Sequence, residues 1–97
     1  MSTAHLIKIS QFGKALASRP EGREAALSTM AYHLGGKIPA EITLDFQDVI
    51  VMTPSWLGEF VQTLMSMGIK KVVYINTSPL VESSIEFIAE ETRSSGS

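Results

Sequence analysis

Three times in this chain a hydroxyl residue and a proline stand where a helix would begin: Ser18-Arg19-Pro20, Thr53-Pro54 and Ser78-Pro79. A Ser or Thr oxygen caps the free N–H groups of a first helical turn. Proline suits that turn because its missing N–H would have had no partner there. Behind Thr53, the residues Trp56, Leu57, Phe60, Val61, Leu64, Met65 and Met67 recur at three- and four-residue spacing. That spacing predicts a helix with a wide apolar face, closed by Gly68. Behind Ser78, Leu80, Val81, Ile85, Ile88 and Ala89 predict a second such stripe. Ser18 with Glu21 three residues later reads as a capping box. It opens a helix from about Pro20 to Leu34, with Ala25, Ala26, Thr29, Met30 and His33 or Leu34 at helical spacing and Gly35-Gly36 as its stop.

Strand-like runs separate these starts. "HLIKIS", His5 to Ser10, alternates apolar with polar. "EITLDF", Glu41 to Phe46, alternates cleanly, with Ile42, Leu44 and Phe46 on one face and Glu41, Thr43 and Asp45 on the other. "KKVVYI", Lys70 to Ile75, is rich in β-branched residues. Gln11 to Ala17 fits a strand continuation, a loop or a helical turn, and "QDVIVM" leads from the second strand towards Thr53. The order β-α-β-α-β-α predicts an α/β fold: one layer of about four strands covered by helices through right-handed crossovers. At 97 residues this is a single domain, residues 1–97, with "RSSGS" from Arg93 to Ser97 read as a disordered tail. In open α/β sheets, sites gather where strand ends feed helix starts. Asp45 to Ser55 and Asn76 to Pro79 occupy those places.

Composition excludes several function classes. The absence of cysteine removes disulfides, thiolate zinc sites and cysteine nucleophiles. A net charge of −2 and no basic run argue against a nucleic-acid partner. No apolar run approaches the roughly 20 residues that span a bilayer. "MSTAHLIKIS" lacks the pattern of a signal peptide, so the expected location is cytoplasmic, away from membranes. Charged residues are only 19% of the chain against 44% apolar, which points to surface covered by a partner. No Ser/His/Asp order, metal-ligand spacing or phosphate-cradling loop is present, so the chain is expected to be neither an enzyme nor a cofactor or metal protein. Asp45 and Asp48 have no histidine near them in sequence and read as acceptors of loop N–H groups. His5 and His33 are isolated, and Met30, Met65 and Met67 read as core filler.

"LDFQDVIVMTPSWLGEFVQTL" resembles the central stretch of STAS domains of the anti-sigma-factor-antagonist type, where a strand ending in "LDF" runs into a serine-containing elbow and a helix. The wider resemblance is to the STAS-like family of unknown function. Its Arg-containing Gly/Pro-rich segment is matched by Ser18, Arg19, Pro20, Gly22 and Arg23, and its helix start by Ser55-Trp56-Leu57-Gly58-Glu59. The ending "KKVVYINTSPLVESSIEFIAEE" also fits. The resemblance covers most of the chain. It implies a regulatory module that binds a GHKL-type ATP-binding partner, a serine kinase or anti-sigma factor, and is released by phosphorylation at the elbow. The usual acceptor position is filled here by Pro54, so the modification is either lost or moved to Ser55 or Thr53.

On this reading Thr53, Pro54, Ser55, Trp56 and Glu59 form the partner-contact set. A phosphate on Ser55 would lie at the positive end of a helix dipole and add up to about two negative charges to the contact surface. The plain alternative is a serine that only suits a helix start. Trp56 is either an aromatic anchor for the partner or, by its spacing with Phe60, a seal for the core. Arg19 and Arg23 suit a carboxylate or phosphate, and an alternative function is a small-ligand, nucleotide or anion sensor using this pair. They equally suit a solvated helix start with Glu21 and Glu24 as local charge partners. The oligomeric state is not legible in the sequence.

Overall fold

The computed structural model describes residues 5–13, 15–35 and 37–95, and side chains other than those of residues 33 and 91–95. Its strands are β1 (His5–Lys8), β2 (Ala15–Leu16), β3 (Glu41–Asp45), β4 (Val51–Met52) and β5 (Lys71–Ile75). Its α-helices are α1 (Arg19–Ser28), α2 (Pro54–Ser66) and α3 (Pro79–Ser95). Gly36 and the last two residues of the expected tail, Gly96 and Ser97, lie outside the described residues.

The fold is α/β, and its strands divide into two parallel sheets. One has the order β1-β3-β5, and the other is the short pair β2-β4. The expected single sheet of about four strands is thus replaced by three plus two. The reason is local. After β1 the chain tightens into a 3₁₀ turn over Ile9–Phe12, and Gly13, at φ 124°, redirects it in a conformation that favours glycine. After β3 the Asp45 carboxylate accepts the Gln47 N–H at 3.0 Å, and Asp48, at φ 72°, turns the chain away. Both excursions leave the main sheet and meet each other: Ala15 pairs with Val51 and Leu16 with Met52.

All three helix starts carry the expected caps. Ser18 Oγ accepts from Glu21 N–H, Thr53 Oγ1 from Trp56 N–H and Ser78 Oγ from Val81 N–H. The first helix departs from expectation at its end: α1 stops at Ser28 and the chain continues as a π turn over Thr29–His33. Buried Thr29 donates its hydroxyl back to Ala25 O at 2.9 Å, a bond that competes with the regular ladder.

The core lies between the sheet and the helices. Ile7, Ile42 and Leu44 from one face of the main sheet meet Ala26, Leu57, Phe60 and Leu64. The other face leaves Leu6, Lys8, Lys71 and Ile75 exposed. α2 packs against both α1 and α3. Buried Ser84 ties α3 to β4 by donating to Met52 O. The apolar stripe of α2 is narrower than its spacing implied: Met65 is 47% exposed, so it is not core filler, whereas Met30 is buried. Leu80 likewise points outward while Val81 is buried, so the buried stripe of α3 starts one residue later.

Candidate functional site

The small sheet β2-β4 builds the site. Its two parallel strands end together, and each runs through a hydroxyl cap into a helix, Ser18 into α1 and Thr53 into α2. Thr53 fastens the two starts. Its N–H donates to Leu16 O at 2.9 Å, and its hydroxyl donates to Ala17 O at 2.9 Å while accepting from Trp56 N–H at 3.2 Å. The helices then run so close that a Cβ on Gly22 of α1 would collide with the Trp56 carbonyl oxygen. Two motifs far apart in sequence, "SRPEGR" and "TPSW", become one surface.

Along the seam of α1 and α2, open depressions share lining residues and follow one another. The first is lined by Arg19, Pro54, Ser55 and Glu59, with Phe87 of α3 on its far side. The next is lined by Arg19, Arg23, Leu27 and Glu59. The last continues past Arg23, Leu27 and Glu59 to Thr63 and Met67. The result is a shallow groove with arginines one helical turn apart on one wall and Glu59 on the other. The first turn of α2 contains no acidic residue, so its dipole leaves the Ser55 end positive. Among the described residues, no hydrogen bond or ion pair engages the guanidinium of Arg19 or Arg23, so the local pairing with Glu21 and Glu24 is not formed.

No family model, curated protein or solved structure matches this chain.

What the groove can do follows from its own residues, and these sort the expected contact set. Ser55 is exposed, and Pro54 and Glu59 are half-buried at the rim. Trp56 is a correction. At 1% exposure it cannot touch a visitor, and its ring stacks on Phe60 with centroids 5.1 Å apart and meets Phe12 at 6.1 Å. Helix geometry allows this: successive residues on α2 are about a hundred degrees apart, so Ser55 can face solvent while Trp56, one turn before buried Phe60, faces the core. Thr53 is half-buried, and its hydroxyl is engaged as donor and as acceptor, which makes it a structural residue rather than an available acceptor for phosphate.

The second strand-to-helix junction is built around Asp45. Its buried carboxylate accepts the Asn76 side-chain amide at 2.9 Å and the Gln47 N–H, joining the loops after β3 and β5. These bonds, that from Asn76 foremost, hold its carboxyl below the usual aspartate range. Burial opposes them, and Lys8 adds a weaker attraction. Asn76 occupies the left-handed region at φ 55°, which asparagine tolerates. Asp48 is exposed, and no group of three His, Cys, Asp or Glu side chains among the described residues is arranged to hold a metal ion. His5 is exposed on β1, and the side chain of His33 lies outside the described residues. No helix among the described residues is long and apolar enough to cross a membrane.

Proposed function

We propose that this chain is a non-enzymatic regulatory module of STAS-like type, acting in the cytoplasm. It docks a GHKL-type ATP-binding partner, a serine kinase or anti-sigma-like protein, through the rim at the start of α2. The observation that carries this reading is the convergence of Arg19, Ser55 and Glu59 on one open depression along a helix that also carries the buried Trp56–Phe60 stack. A docking surface needs fixed geometry under side chains that remain free to make new contacts. The Thr53 tether and the Trp56–Phe60 stack supply the first, and Ser55 and the two arginines supply the second. The "LDF"-to-elbow resemblance supports the class of partner. Exchange of the usual acceptor for Pro54 leaves Ser55 as the hydroxyl able to take a phosphate, since that of Thr53 is occupied. Phosphate on Ser55 would sit within the groove and repel an acidic partner surface while attracting Arg19.

The reading is tested by affinity capture of the tagged chain from its native lysate, with identification of bound proteins and phosphosite mapping. Recovery of an ATP-binding protein that labels the chain on Ser55 in the presence of ATP is the expected result. Recovery of no ATP-binding protein, with no phosphate on the chain, contradicts it. A second reading, a small-anion sensor, is favoured by the unengaged Arg19 and Arg23 guanidiniums. It predicts that inorganic phosphate raises the melting temperature and that Arg23→Ala removes the effect. A melting temperature indifferent to phosphate excludes it.

A further inference from the structure

β5 forms an edge of the three-stranded sheet. Lys71 N–H donates to Ala40 O, and Ile75 O accepts from Phe46 N–H, so the main chain of Lys71, Val73 and Ile75 points at β3. Because successive residues of a strand alternate, the N–H and C=O groups of Val72 and Tyr74 point away from the sheet. Among the described residues, nothing takes up these groups. Proteins usually protect such an edge with proline, a bulge or an inward-pointing charge. "KVVYI" has no proline and no bulge, and its one charge stands at the first residue. Val72, Val73 and Tyr74 are each left half-buried, with the Tyr74 ring 6.0 Å from Phe46 at the margin of the core.

We infer that β5 pairs with β5 of a second copy of this chain, antiparallel across a two-fold axis at Val73. The register follows from the outward-pointing groups. Val72 of each copy faces Tyr74 of the other as a hydrogen-bonded pair, and the two Val73 residues face each other between them. About four main-chain hydrogen bonds form, using the groups the isolated edge leaves open. The side chains agree with the register. Val72 opposite Tyr74 is an aromatic and β-branched cross-strand pair, a stabilising combination. Lys71 falls opposite Ile75 of the second copy, so the two lysines stay apart. The contact is isologous, and it closes after two copies into one continuous sheet. It lies on β5, away from the α1–α2 groove, and stands or falls independently of the docking function.

The test is sedimentation velocity of the full chain from about 5 to about 200 μM, with dissociation expected in the micromolar range. Val72→Pro removes only an outward N–H at an edge position that tolerates proline. Val73→Lys sets two like charges against each other on the axis, on the open face of the sheet. Both variants are expected to stay monomeric across the range with unchanged far-UV circular dichroism. If Val72→Pro fails to fold, Val73→Lys alone decides. A wild-type chain that remains monomeric throughout overturns the inference, and so does a dimer that survives Val73→Lys.

Discussion

Thr53 shows how much a single hydroxyl can hold at the residue scale. Thr53→Ala removes a helix cap and the bond that fastens α2 to Ala17, and is expected to cost about 2 kcal/mol by urea unfolding. A cost below about 0.5 kcal/mol would mean the tether is not formed in solution. Trp56→Ala empties a stacked, buried site and is expected to cost about 3 to 5 kcal/mol, a large share of a small domain's stability. Lost partner binding in that variant would therefore report unfolding, not contact. Asp45 gives a pH signature. Its folded carboxyl titrates below the ordinary value of about 3.9, so the stabilisation is fully present above that value and fades as pH falls through it towards the folded one. Asp45→Asn should flatten the stability profile on the acid side of the ordinary carboxylate value, and an unchanged acid limb would contradict the Asn76 lock.

At the scale of elements, the seam of α1 and α2 is set by Gly22. Alanine normally favours a helix over glycine by about 1 kcal/mol, but here its methyl would meet the Trp56 carbonyl, which is backbone and cannot swing aside. Gly22→Ala is expected to destabilise by about 1 to 3 kcal/mol, whereas a gain in stability would show that the helices sit further apart. The glycine was visible in the sequence, but the reason for it was not, because the approach depends on a helix more than thirty residues away. Legibility followed chemistry of short range. Caps at Ser18, Thr53 and Ser78 and the alternation of Glu41 to Phe46 are written in neighbouring residues; the caps stand as expected, and the strand stands over Glu41–Asp45, where the alternation breaks at buried Asp45. The pairing of Ala15-Leu16 with Val51-Met52 was invisible, since two-residue strands carry no period. That pairing creates the groove, so the candidate residues were legible one by one and their meeting was not. Trp56 is a related case: beside a polar elbow it reads as anchor or as core, its spacing with Phe60 favours the core, and the helix in place seats it there.

For the whole molecule, a helical layer sits on one face of the sheet, and among the described residues nothing covers the second face or pairs with the β5 edge. Arg19 and Arg23 are exposed, Glu59 stands half-buried at the rim, and among the described residues no side-chain hydrogen bond or ion pair holds them, so Arg19→Ala, Arg23→Ala and Glu59→Ala should each alter stability by less than about 0.5 kcal/mol. That separation of folding from recognition makes the docking claim directly measurable. The decisive experiment is the affinity of the captured ATP-binding partner for the chain, by titration calorimetry, with Ser55→Glu and Arg19→Ala compared against Lys37→Ala at an exposed position that does not line the groove. A loss of about tenfold or more in both groove variants, with Lys37→Ala unchanged, is the predicted result. Wild-type affinity in both groove variants would contradict it and move the contact surface elsewhere.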